Sequence, residues 1–203
     1  MFETELCDYV DKLANFIHHK ALKPITQSEP YYHMGATITD SILQAGMNYK
    51  HVVYPRILKL LKNFPTYKTT SAFISLMKDI PLTELVNWKN EEKLQRIINL
   101  SWFLFNNNIE NEDQFAIWLD TDKNIIQLKQ IKGIGPKTVD YLRMLSGNQA
   151  IAIDRHLFTF LKMAGILIRS YDEANLIYSK TSELLKISKN ELDKKIWMYM
   201  SKS

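Results

Sequence analysis

Cysteine and glycine are scarce in this chain of 203 residues, and long apolar runs are missing altogether. The single cysteine, Cys7, excludes an intramolecular disulfide, a thiolate zinc site and a cysteine-ligated iron–sulfur cluster. Apolar stretches are broken by Lys, Asn or Asp every few positions, far short of the roughly 20 residues that a membrane span needs. A hydrophobic content of 46% with 24% charged residues excludes disorder, because such a chain can bury a core. The opening Met-Phe-Glu-Thr-Glu lacks the basic start of a signal peptide, so a reducing cytoplasm is expected. The length suits one or two compact lobes.

Net charge is only +4, but it is unevenly spread. Between Lys123 and Arg169, eight basic residues stand against Asp140 and Asp154. Ser41 to Lys78 carries Lys50, Arg56, Lys59, Lys62, Lys68 and Lys78 with no carboxylate. An acidic stretch from Asp79 to Asp122 separates the two. This pattern fits a face for a polyanion, and equally a solvated face without a partner.

Apolar residues recur with the 3.6 period, as in Leu6, Val10, Leu13, Phe16, Ile17 and in Leu94, Ile97, Ile98, Trp102, Phe105. An all-α fold of short helices follows, over about 2–20, 34–45, 50–63, 69–78, 82–87, 91–107, 112–119, 123–131, 136–145, 154–163, 172–186 and 189–201. Asp122 stands as the cap before the helix holding Leu128 and Ile131, Pro136 suits a first helical turn, and Ser188 with Glu191 reads as a capping box.

Two of the six glycines, Gly133 and Gly135, fall between the helix that ends at Ile131 and the one that starts at Pro136. A tight turn needs residues free to take positive φ, and missing side chains let main-chain N–H groups approach a phosphate. Leu128, Ile131, Ile134, Val139 and Leu142 would lock the two helices together and leave Lys132 and the turn in solvent. A plain helix-to-helix turn is the simpler alternative. The full run Leu128-x-x-Ile131-x-Gly133-Ile134-Gly135-Pro136-Lys137-Thr138-Val139-x-x-Leu142, followed by Ala150-Ile151-Ala152-Ile153-Asp154-Arg155-His156, resembles the helix–hairpin–helix-GPD superfamily of base-excision DNA glycosylases, such as endonuclease III and the 8-oxoguanine glycosylases. The resemblance covers residues 123–163 by motif.

It implies two helical lobes with a cleft between them, one of residues 33–147 ending in the hairpin, the other of 1–32 with 148–203. It implies that Lys137 attacks C1′ of a flipped nucleotide and that Asp154 stabilises the cationic sugar. The first-turn position of Lys137, beside Lys132, argues for a neutral, nucleophilic amine. The plain readings are an exposed lysine and a helix N-cap. Lys132, Gly133, Ile134, Gly135, Lys137, Arg155 and His156 are the expected DNA contacts, His156 being equally readable as a core histidine. Gln44, with Asn48 behind it, is the candidate wedge that fills the gap left by an extruded base. Trp102 and Phe103, and beside them Tyr31, Tyr32 and Tyr49, are candidates for stacking on that base, though helical spacing marks most of them as core.

The expected activity is removal of a damaged or modified base from DNA, with strand cleavage by β-elimination through a Lys137 Schiff base. The alternatives are a monofunctional glycosylase for alkylated bases and a non-catalytic DNA-binding protein. No cofactor is required, no iron–sulfur cluster is expected, and a monovalent cation held by hairpin carbonyls is implied by the resemblance alone. The expected partner is double-stranded DNA, bound by a monomer, with no membrane involved.

Overall fold

The computed structural model describes residues 3–24 and 29–201. Among them the regular structure is helical: α1 (Glu3–Lys20), α2 (Met34–Leu43), α3 (Tyr54–Asn63), α4 (Thr70–Asp79), α5 (Leu82–Leu85), α6 (Glu91–Asn106), α7 (Glu112–Trp118), α8 (Asp122–Leu128), α9 (Pro136–Leu145), α10 (Arg155–Met163), α11 (Tyr171–Leu185) and α12 (Lys189–Met200). The chain divides into two compact units, Glu29–Asn148 and Met1–Ser28 with Gln149–Ser203.

The first unit is built around α2. All ten of its residues are buried, and α3, α4, α6 and α9 pack around it. Several of its polar residues are satisfied inside, although the buried Thr39 hydroxyl has no hydrogen-bond partner among the described residues. Thr37 Oγ1 donates to Glu112 Oε1 at 2.6 Å, and Ser41 Oγ donates to the Ile38 carbonyl at 2.8 Å. Ile38, Ile42, Leu43, Ile57, Leu60, Phe73, Ile97, Leu100, Leu104 and Phe115 make the surrounding core. In the second unit α1 lies on α11, and α10 on α12, around Leu13, Ile17, Phe160, Leu161, Ile177 and Tyr178.

Local chemistry sets the helix ends. Side chains of His33, Thr69, Asn90, Asn111, Asp154, Ser170 and Ser188 each accept from a first-turn N–H of the helix they precede. Several boundaries differ from those read in the sequence, those of two helices most. Asp122 is the first residue of α8 and not its cap, which is Thr121; the helix ends at Leu128, leaving Ile131 in the turn. Before α3, residues Tyr49–Val53 form a π-helical turn. Pro55 has no N–H to continue a regular ladder back into that segment, so the winding changes there.

Candidate functional site

The hairpin joins α8 to α9 through residues 129–135. Leu128, Ile134, Val139 and Leu142 are buried and Ile131 is partly buried, while Lys132 and Gly133 are exposed. The Ile134 N–H donates to the Ile131 carbonyl at 3.0 Å and closes the turn. The two glycines differ in kind. Gly133 has φ +89°, the left-handed region, and the Arg96 side chain lies so close that a Cβ there would meet its Nε at 2.3 Å. Gly135 is extended (φ −104°, ψ −175°), caps α9, and would carry a Cβ into open space. Only Gly133 is thus required by the turn itself; Gly135 keeps the approach to the α9 N-terminus clear.

Lys137, partly buried in the first turn of α9, donates from Nζ to Gln44 Oε1, and its Nζ stands 5.4 Å over the Tyr141 ring. The Tyr141 hydroxyl donates to both oxygens of Asp40, at 3.3 Å each. Tyr31 donates to Asp40 Oδ2 at 2.7 Å and shares a 2.9 Å bond with Tyr49, which itself reaches Asp40 Oδ2 at 3.5 Å. Asp40 is fully buried. Burial pushes its carboxyl up to about 6, opposed by the hydroxyls of Tyr31 and Tyr141, the charge of Lys137 and the Tyr49 hydroxyl. Burial and the Asp40 charge push Tyr49 up to about 12, and Tyr31 well above its ordinary value. An acceptor oxygen, a ring face and a carboxylate thus surround the Lys137 amine, and each attracts an ammonium. These contacts act against the helix N-terminus and Lys93, which favour the neutral amine.

Two further cations stand close by. Lys93 Nζ donates to the carbonyls of Leu43 and Ala45, at 2.8 and 2.7 Å, at the end of α2. Burial, with the charges of Arg96 and Lys137, holds Lys93 below the ordinary lysine range. Arg96 pairs with Glu92 at 2.6 Å and lies against Gly133. Both cations come from the segment that reads as acidic in sequence, and only the i, i+3 spacing of Lys93 and Arg96 on α6 hinted that they share a face.

Gln44 is the C-cap of α2, partly buried and bound to Lys137; its Nε2 also reaches the Ser41 carbonyl at 3.4 Å. Asn48 is exposed and spends Oδ1 on the His51 N–H at 3.0 Å, capping the π-helical turn. Trp102 and Phe103 do not join this group. Trp102, nine residues on from Lys93, falls about half a turn out of phase on α6. It lies in a shallow groove with Ile74, Met77, Lys78, Leu82 and Ile98. Phe103 packs edge-on to Trp118 at 5.6 Å. The ring beside Lys137 is instead Tyr141, which meets Tyr31 and Tyr49 at Asp40.

Asp154 belongs to the other unit. It is the N-cap of α10, and its Oδ1 accepts from the N–H groups of His156 and Leu157 at 2.8 and 3.1 Å. The extended loop before it is pinned by side chains of α11 and α12. Asn190 accepts from Ala150 N at 2.9 Å, Asp193 accepts from Ala152 N at 2.9 Å, and Asn175 donates to the Ile151 carbonyl at 3.1 Å. Arg155 is exposed and His156 partly buried. No group of three or more His, Cys, Asp or Glu among the described residues could hold a metal ion, and no described helix is long and apolar enough to cross a membrane.

No family model and no curated protein sequence matches the chain. Among solved structures it is similar to the 3-methyladenine DNA glycosylase MagIII of H. pylori, determined bound to 1,N6-ethenoadenine. The TM-score is 0.62 at 19% identity, over 96% of this chain and 97% of that one. The likeness establishes a shared all-helical fold.

Proposed function

We propose that the protein is a DNA N-glycosylase that releases alkylated purines by hydrolysis. The observation that carries the reading is a fold shared over nearly the whole of both chains with a 3-methyladenine DNA glycosylase. The hairpin and the rigidly capped Asp154 support it independently.

In this reading the main-chain N–H groups at the start of α9, with Lys132, Arg96 and Lys93, hold the backbone of duplex DNA. Gln44 fills the space of an extruded nucleotide, and Asn48 supports the turn behind it. Arg155 and His156 are further contacts to the DNA. The Asp154 carboxylate, held by the cap of α10, would stabilise by its charge the oxocarbenium-like transition state as the C1′–N bond breaks and the electron pair leaves with the base. It then takes a proton from the water that adds to C1′. A cationic alkylated base such as 3-methyladenine leaves as a neutral one with no acid at the leaving group, whereas the uncharged 1,N6-ethenoadenine takes a proton from water as it leaves. A monovalent cation at the hairpin, held by main-chain carbonyls between Ile131 and Gly135, would supply positive charge to the phosphate.

Hydrolysis ranks above strand cleavage because Gln44 Oε1, the Tyr141 ring and the Asp40 carboxylate each favour an ammonium at Lys137. The test is release of bases from DNA methylated with a radioactive reagent and from a duplex bearing one 1,N6-ethenoadenine. Release by the wild type and its loss in Asp154→Asn support the reading. Absence of release from every such substrate, with DNA binding intact, would leave a non-catalytic DNA-binding protein.

A further inference from the structure

Asp40 is a fully buried carboxylate that the proposed excision does not use. Nothing about α2 as a core helix asks for charge at this position, since Ile38, Ile42 and Leu43 bury apolar side chains on the same helix. Burying a carboxylate is unfavourable unless it is paired. Here three phenol hydroxyls converge on it from three places: the segment before α2, the π-helical turn and α9.

The arrangement has two rungs. Asp40 and Gln44 are one turn apart on α2, as Lys137 and Tyr141 are on α9, and the helices pack so that Asp40 meets Tyr141 while Gln44 meets Lys137. Tyr141 belongs to both rungs, with its hydroxyl on Asp40 and its ring under the Lys137 amine. The groups facing Asp40 are Tyr31, Tyr49, Tyr141 and Lys137. Lys137 also faces Lys93 on α6, whose charge opposes its own.

We propose that Asp40, acting with Tyr141, is a positioning residue that holds the Lys137 amine in its charged form on Gln44 and thereby keeps it from attacking an abasic sugar. The inference builds on the reading that this face meets DNA. Schiff-base formation needs the nitrogen lone pair: the amine adds to the C1′ aldehyde of a ring-opened abasic site, and water leaves as the imine forms. An ammonium has no such pair. Asp40 offsets Lys93 and so selects hydrolysis over covalent lyase chemistry.

Two measurements test this. Acetylation of Lys137 by acetic anhydride, read by mass spectrometry against exposed Lys132 in the same molecule, needs no enzymatic activity. Borohydride reduction of the imine on a duplex with one abasic site reads the chemistry. In Asp40→Asn both should rise about threefold or more, because a larger fraction of the amine is then neutral. A folded Asp40→Asn protein with an unchanged acetylation ratio overturns the proposal, and a raised ratio without more trapping overturns its chemical half. If Asp40→Asn does not fold, the wild type decides: the Asp40 carboxyl lies at about 6, so the Lys137 to Lys132 ratio should climb between pH 7 and 5, and a flat ratio refutes the link. Should the wild type release no base from any DNA, the glycosylase reading fails while the acetylation ratio still decides the role of Asp40.

Discussion

Gln44 and Lys137, 93 positions apart in the chain, are joined by a hydrogen bond that ties the last turn of α2 to the first turn of α9. The side chain proposed to enter the base stack is thus held by the lysine of the hairpin that grips the backbone.

If Gln44 fills the gap left by an extruded base, its truncation should matter only where there is a stack to repair. Gln44→Ala should slow excision of 1,N6-ethenoadenine from duplex DNA by roughly tenfold and from a single strand by less than about twofold, unstacking costing a few kcal/mol only in the duplex. Single-turnover rates on the two substrates measure the difference, and equal losses on both would remove the wedge role.

The two hairpin glycines should respond oppositely to alanine. Gly133→Ala forces a positive φ on a side chain and pushes Arg96 away, so it should lower stability by about 1–3 kcal/mol in urea unfolding. Gly135→Ala should leave stability within about 0.5 kcal/mol, because its Cβ meets nothing and its φ is ordinary. It should nonetheless weaken DNA binding, since the methyl group stands at the α9 N-terminus.

Asp40 should make the protein more stable in mild acid. Its folded carboxyl, at about 6, lies above the unfolded value of 3.8, so the folded state binds the proton more tightly. This contribution is fully present below about pH 4 and is lost as pH rises through 6, amounting to about 3 kcal/mol by linkage. Urea unfolding at pH 5 and pH 8 should show that slope in the wild type, and a shallower one in Asp40→Asn. An identical slope in both would mean the carboxyl titrates normally.

Cations that meet phosphates should appear in the salt dependence. Lys132→Ala and Arg96→Ala should each flatten the plot of log affinity against log salt by about 0.9 for duplex DNA. Lys78→Ala, in the groove beside Trp102, should leave the slope unchanged.

The loop that carries Asp154 should depend on Asp193. Asp193→Ala removes the acceptor for the buried Ala152 N–H and should cost about 2 kcal/mol, with slower excision. Asp193→Asn keeps an acceptor oxygen and should restore most of both; thermal unfolding and excision rates compare the two.

The helices and the hairpin were legible because their signals are local: capping side chains, the 3.6 period, Pro136 after a glycine. The Asp40 network was not. A helix buried on every side shows no polar face, so nothing in Thr37-Ile38-Thr39-Asp40-Ser41 distinguishes a buried acid from an exposed one. Lys93 and Arg96 were hidden by counting charge along the chain, where neighbouring Glu91 and Glu92 cancel them, although the fold turns them toward Gly133 and Lys137. The position of Trp102 was hidden for a related reason: composition says that a ring is present, and only helix phase says that it lies about half a turn from Lys93 on α6.

The enclosure of α2 also governs how the protein can move. With every residue from Met34 to Leu43 shut away from water, its amide protons should exchange only when the whole unit opens. If Gln44 enters a duplex as proposed, a finger mounted on so stiff a shaft would not bend to probe it. Distortion would then have to come from the nucleic acid, and a helix already loosened by a lesion would yield to it sooner than an intact one.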